Sequence, residues 1–220
     1  MDMKVDNKSV IVLDLDDTLY NEIEFLKSAY MEIARGLEKH NHLPLYAKMI
    51  SLYRSQKDVF GILADYYQVS KSGLISKYRQ HQPKIKLFDG AKELLENIKK
   101  YNGKIGIITD GRTQTQTAKI KALGIASYLD HIVISEEIGT EKPHPNNYKE
   151  MENTFGKGSY SYIADNLKKD FITPNILGWD TVGLIDNGLN IHTENHLYFN
   201  KEHEPKKYVS SLGEINIVAR

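Results

Sequence analysis

Four short apolar runs, each giving way to polar groups at its C-terminal end, constrain this chain more than anything else in it. They are Ser9 to Leu13 (SVIVL), Lys104 to Thr109 (KIGIIT), His131 to Ser135 and Tyr160 to Ala164, all rich in β-branched or aromatic residues. Runs of that length read as strands buried on both faces, as in a parallel sheet. Helical patterns alternate with them. One covers Ala91 to Lys100, started at Asp89 or Gly90, and the turn signal Asn102–Gly103 follows it. Others cover Thr115 to Leu123, with Gly124 as its cap, Asn146 to Phe155, and Phe171 to Leu177. Thr181 to Ile185 reads as a further strand and Tyr208–Val209 as a short last one, with Leu212 to Ile215 after it. Strands alternating with helices predict an α/β fold with a parallel sheet and right-handed crossovers.

One segment breaks the rhythm. From Asn21 to about Gln82 the strand signal fades, and Ile23, Phe25, Leu26, Ala29, Tyr30, Ile33 and Leu37 recur at helical spacing. Further helical patterns cover Tyr46 to Tyr53, Val59 to Tyr67 and Leu74 to Tyr78, with Pro44 and Gly73 as punctuation. The expected division is residues 1–20 and 83–220 as the α/β core and 21–82 as an all-helical insertion. Since the insertion leaves and rejoins the core near the first strand, it is expected to sit over the strand ends.

Charge and cysteine content narrow the function. Twenty-nine basic and 29 acidic residues cancel, so the basic footprint of a nucleic-acid binder is missing. With no cysteine in 220 residues, disulfides, thiolate nucleophiles and cysteine-based metal sites are excluded. The N-terminal apolar run is short and meets carboxylates at once, unlike a signal peptide. No apolar stretch approaches the ~20 residues of a membrane span. A soluble protein of the cytoplasm, with no membrane or nucleic-acid partner, is the expectation.

The strand ends carry the chemistry. The first gives Asp14, Asp16, Asp17 and Thr18; the second Thr109, Asp110 and Gly111. Lys142 follows the third, and the fourth gives Asp165, Asn166 and Asp170. In a parallel sheet these ends share one edge, where ligands bind. Several carboxylates together repel one another unless a cation sits among them, and Mg2+ favours carboxylate, water and phosphate oxygens. Lys142 adds a fixed positive charge, Thr109 a hydroxyl, and Gly111 room for an anion near the backbone. The set is a cradle for a phosphoryl group, with one carboxylate placed to attack it and a second to move protons.

Asp14-Leu15-Asp16-Asp17-Thr18 resembles the DxDxT signature of the haloacid dehalogenase (HAD) superfamily. Ile107-Ile108-Thr109-Asp110-Gly111, Lys142–Pro143 and Asp165-Asn-Leu-Lys-Lys-Asp170 resemble its second, third and fourth motifs, in order. The resemblance covers about Val10 to Leu212 and implies a Rossmann-like core with a helical cap of the C1 type. It implies a Mg2+-dependent phosphatase acting on a small-molecule phosphate ester. Asp14 would be nucleophile and metal ligand. Asp16 would be acid/base, with its backbone carbonyl a second ligand, and Asp165 would complete the metal site. Thr109, the backbone around Asp110 and Gly111, and Lys142 would hold the phosphate. Asp170 would act through water on the metal or as a partner of Lys142, while Asn166 stands between support of the site and capping. Ala164 replaces a common Gly, and Asp110 a common Asn whose added charge argues against a direct side-chain contact with phosphate.

Tyr20 and Asn21, entering the insertion beside Asp16, are candidates for touching substrate, as is Arg112 after the phosphate loop. The remaining tyrosines of the insertion are expected mostly in its core. The eight histidines make no metal-ligand pattern; His40 and His42 are expected at the surface and His144 as a polar loop group. A phosphomutase is the nearest alternative. A dehalogenase has no need of Asp16, a signalling receiver is shorter and carries no insertion, and a non-catalytic phosphate binder would be expected to have lost Asp14 or Asp16.

Overall fold

A computed structural model describes residues 1–220. The chain starts with β1 (Asp2–Val5) and β2 (Ser9–Leu13), then runs through four helices, α1 (Glu22–Leu37), α2 (His42–Arg54), α3 (Val59–Tyr67) and α4 (Lys71–Gln80). An alternating stretch follows: α5 (Ala91–Lys100), β3 (Lys104–Thr109), α6 (Thr113–Ala122), β4 (His131–Ile134), α7 (Ser135–Ile138) and α8 (Pro145–Phe155). It closes with β5 (Ser159–Ala164), α9 (Ile172–Ile176), β6 (Asp180–Leu184), β7 (Lys207–Val209) and β8 (Asn216–Ala219).

Six strands form one sheet in the order β4-β3-β2-β5-β6-β7, and every pair in it is parallel. β2 is central, and all five of its residues are buried. Successive side chains of a strand point to opposite faces, and this divides the core in two. Ile11, Leu13, Ile105 and Ile107 join one apolar cluster with Leu94, Leu95 and Ile98 of α5. Val10, Val12, Ile108 and Tyr162 join a second with Tyr148 and Met151 of α8. Each such side chain removed from water contributes roughly 1.5–3 kcal/mol, so helices on both faces hold the strand ends rigidly in line. The chain order runs outward from β2 through β3 to β4, then returns to the other side of β2 with β5. That reversal opens a crevice beyond the C-terminal end of β2.

The four helices α1–α4 pack on a cluster of their own, built from Leu26, Tyr30, Ile33, Met49, Leu63 and Leu74 among others. Tyr30, Tyr53, Phe60 and Tyr78 meet edge-to-face within this group. Pro44 and Gly73, expected as punctuation just before helices, lie inside their first turns. Pro44 lies in the first turn of α2, where a missing N–H costs nothing. Gly73 lies in the first turn of α4 and donates its N–H to Ser70 Oγ at 3.2 Å. His42 sits in that first turn of α2, half-buried rather than at the surface. Ser135, expected to end the third strand, opens α7. β1 and β8 were not foreseen; they pair with each other in a separate parallel ribbon.

Candidate active site

The register of the central strands brings the polar groups together. Leu13 pairs with Ile107 of β3 and Ile163 of β5, and the Asp14 N–H donates to Ile163 C=O at 3.0 Å. Thr109 and Asp165, each two residues beyond those partners, therefore stand on either side of Asp14. The cleft they open has a volume of about 250 Å³ and is lined by 12 residues, none hydrophobic.

On its floor Asp14 and Asp165, with the fully buried Asp170 behind them, offer carboxylate oxygens within 4.8 Å of one another. Lys142 lies among them, 1% exposed in its side chain, with Nζ 2.7 Å from Asp14 Oδ1 and 2.7 Å from Asp170 Oδ1. It also donates to the Tyr162 hydroxyl at 3.2 Å. Asp170 is thus the direct partner of Lys142, one of the two roles expected for it. Asp165 is oriented on both sides: Thr18 Oγ1 donates to its Oδ1 at 3.2 Å, and Asn190 Nδ2 to its Oδ2 at 2.9 Å.

Fully ionised, three buried carboxylates against one ammonium would leave two negative charges in excess. Burial pushes the Asp14 carboxyl up to about 7; Lys142 pulls the other way and Asp170 adds to the rise. Burial, then Asp170 and Asp14, also raise Asp165 well above the usual carboxylate range. Lys142 stays charged, because its acidic neighbours outweigh its burial. A divalent cation that prefers oxygen ligands matches both the donor set and the missing charge.

Asp16 is engaged elsewhere. Its carboxylate accepts from Lys119 Nζ at 2.7 and 2.8 Å, from Gln116 Nε2 at 2.9 Å and from the Tyr20 hydroxyl. Although burial opposes it, this set of donors holds the Asp16 carboxyl below its ordinary value. Thr109 is buried and accepts from Gln116 Nε2 at 2.5 Å. Asp110, which departs from the family's Asn, accepts from Lys169 Nζ at 2.7 Å and the Lys142 N–H at 3.0 Å, so its added charge is paired. Gly111 adopts φ +134°, a conformation that disfavours any side chain. Its N–H, expected to face an anion, donates instead to Ser135 Oγ at 2.8 Å.

Three other candidates, Tyr20, Asn21 and Arg112, fall outside the cleft wall, whereas Asn166 lines it. Tyr20 is wholly buried beneath Asp16, Asn21 accepts from Asn187 Nδ2 at 2.9 Å, and Arg112 turns outward to Glu136 at 2.5 Å. The Asn166 side chain closes its own loop by accepting from the Lys168 N–H. His144 caps α8. Residues that sequence reasoning passed over include Gln116, Lys119, Lys169, Asn190 and Tyr162. Only the first two left a signal: α6, TQTQTAKIKA, has no apolar stripe, so polar groups must face inward.

Residues 11–183 match the family described as haloacid dehalogenase-like hydrolase. The chain belongs to that family. Among curated HAD relatives, the glyceraldehyde 3-phosphate phosphatase of Methanocaldococcus jannaschii is 29% identical over 191 residues, 80% of this chain and 84% of the relative. The pyrimidine 5'-nucleotidase YjjG of Escherichia coli is 34% identical over 57% of this chain and 53% of its own. Among solved HAD structures, YfnB of Bacillus subtilis, bound to magnesium, superposes with a TM-score of 0.66 at 18% identity, over 96% of this chain and 97% of that one. The L-2-haloacid dehalogenase of Xanthobacter autotrophicus does so at 0.60 and 13%, over 93% and 95%. At these identities the structural likeness shows the HAD fold. No helix is long and apolar enough to cross a membrane.

Proposed function

We propose that this chain is a Mg2+-dependent phosphatase that hydrolyses a small phosphate monoester through an aspartyl-phosphate on Asp14. The observation that carries it is the pairing of a buried, lysine-bound Asp14 with Asp16 two residues on, at the floor of a wholly polar cleft. Asp14 attacks phosphorus, and the ester P–O bond breaks. Asp16, which must carry a proton in the substrate complex although Lys119, Gln116 and Tyr20 favour its ionised form, gives that proton to the leaving oxygen. Asp16 then takes a proton from a water that attacks phosphorus, and the bond to Asp14 breaks, freeing phosphate. Thr109 and Lys142 hold the phosphoryl oxygens. Asp14, Asp165 and the Asp16 backbone carbonyl would hold Mg2+, with Asp170 behind them. When bound, the ion supplies charge neutralisation for the transferring group. Residues 21–82 serve as the cap, and the cysteine-free composition suits the reducing cytoplasm as the place of action.

Metal binding to such a floor competes with protons, because Asp14 must be ionised to serve as ligand. With Asp14 pushed up to about 7, Mg2+ affinity should fall about tenfold per pH unit below 7 for each proton displaced. Melting of EDTA-treated protein with added Mg2+ tests this: the metal-induced rise should be larger at pH 8 than at pH 5.5. An equal rise at both would count against the cluster as the metal site.

A cleft of about 250 Å³ without a hydrophobic side chain supports a small hydroxylated ester, in keeping with the triose phosphate named for the Methanocaldococcus relative. It offers no hydrophobic side chain on which a nucleobase could pack. Phosphate release from a panel of triose, sugar and nucleoside monophosphates should favour the first two in kcat/KM by tenfold or more, a ratio worth about 1.4 kcal/mol, and should stop with EDTA. Metal-independent release, or none from any ester, overturns the reading.

A further inference from the structure

We propose that Lys119 and Gln116 are positioning residues for Asp16, fixing the carboxylate that moves protons relative to the threonine that cradles phosphate; the inference rests on the phosphatase reading. Both side chains lie on α6, three residues apart and so on one helical face. Both are buried, at 3% and 1% exposure. A lysine that deep is rare unless paired, and this one spans both oxygens of Asp16 at 2.7 and 2.8 Å. Its ammonium also lies 3.7 Å from Glu22 and 4.6 Å from the centre of the Phe25 ring, which wall it off from water.

Gln116 does two things with one amide nitrogen. Its Nε2 donates to Asp16 Oδ2 at 2.9 Å and to Thr109 Oγ1 at 2.5 Å. Thr109, already accepting there, keeps its own hydroxyl proton to donate towards a phosphoryl oxygen. The Tyr20 hydroxyl completes the set on Asp16 Oδ1. With both oxygens held by three side chains, Asp16 cannot rotate about its own bonds, and a proton-transfer group must be held within hydrogen-bond reach of its target.

The competing explanation is that Lys119 merely ties the helical insertion to the core, for α6 also meets α4 through Thr115 Oγ1 and Arg79 C=O at 3.1 Å. Leaving-group chemistry separates the two. An alkyl ester such as glycerol 3-phosphate needs its departing oxygen protonated, whereas p-nitrophenyl phosphate does not. A misplaced Asp16 therefore slows formation of the aspartyl-phosphate with the first ester and spares it with the second. A loosened fold slows both alike.

The experiment measures kcat/KM for both esters with Mg2+ in wild type, Lys119→Met, Lys119→Arg and Gln116→Met. Methionine keeps most of the stem volume of each residue. For Lys119→Met the alkyl ester should lose about 100-fold, in line with general acid catalysis, through kcat rather than KM. The aryl ester should lose less than about tenfold, and Lys119→Arg should recover part of the alkyl activity. Equal losses on the two esters, or no loss, overturn the proposal. Should Lys119→Met fail to melt cooperatively, Gln116→Met decides by the same comparison. A wild type that hydrolyses neither ester overturns the phosphatase reading itself, an outcome distinct from equal losses in the variants.

Discussion

Asp14→Asn is expected to lower turnover by about 10⁴-fold or more, as loss of a covalent nucleophile does, and to make the metal-free protein more stable. The two effects share one cause. Asp14 is buried beside Asp170, and its carboxyl is pushed up to about 7, burial being the larger reason. In the unfolded chain an aspartate titrates near 4. Between those values the folded protein binds the extra proton, so the wild type loses stability as pH rises from about 4 to about 7. Asparagine is neutral throughout. The variant's advantage should grow across that window and reach about 1–3 kcal/mol by pH 8, a rise of several degrees in Tm. The Mg2+-induced rise should shrink in the same variant. Retained turnover, or a lower Tm than wild type at pH 8 in EDTA, would refute this account of Asp14.

Lys142→Met should be as inactive and move stability the other way. Lys142 contacts Asp14 and Asp170 at 2.7 Å each with almost no solvent exposure. Removing one partner of a buried ion pair leaves uncompensated charge and costs about 3–5 kcal/mol. Here two carboxylates lose their partner at once, with Asp165 in the same cluster. Urea denaturation at pH 7.5 in EDTA should show that loss, and Mg2+ should restore part of it by supplying positive charge. A loss below about 1 kcal/mol, within the range of exposed pairs, would mean that Lys142 is not the counter-charge of this floor. Opposite signs of stability with the same loss of activity are what carboxylates outnumbering cations in a desolvated site predict.

Much of this was legible along the chain. The expected strands at Ser9–Leu13 and Lys104–Thr109 match β2 and β3 residue for residue, because a strand buried on both faces needs an apolar run that little else explains. The helix at Val59–Tyr67 matches as well. The short ribbon was not legible. β1 and β8 are four residues each, with alternating or partial burial. They meet across more than 200 residues, and neither carries a signal without the other. Pro44 and Gly73 mark helix starts, as expected, but from inside the first turn, where the N–H groups have no intrahelical partner to lose.

For the site, the sequence alone places Asp14, Asp16, Asp165 and Asp170 after apolar runs that read as strands and Thr109 at the end of another, while Lys142 comes eight residues beyond β4, across α7. Where those groups point was decided by the tertiary structure. The Asp16 carboxylate is held by Lys119 and Gln116, a hundred residues away on a helix read only as a helix. Arg112 turns from the cleft to Glu136, and the Gly111 N–H goes to Ser135. The physical reason is one of range. Strand placement follows from local burial, which hydropathy records residue by residue. The direction of a polar side chain follows from whichever donor or acceptor folding brings within 3 Å, and that partner leaves no mark beside it in the sequence.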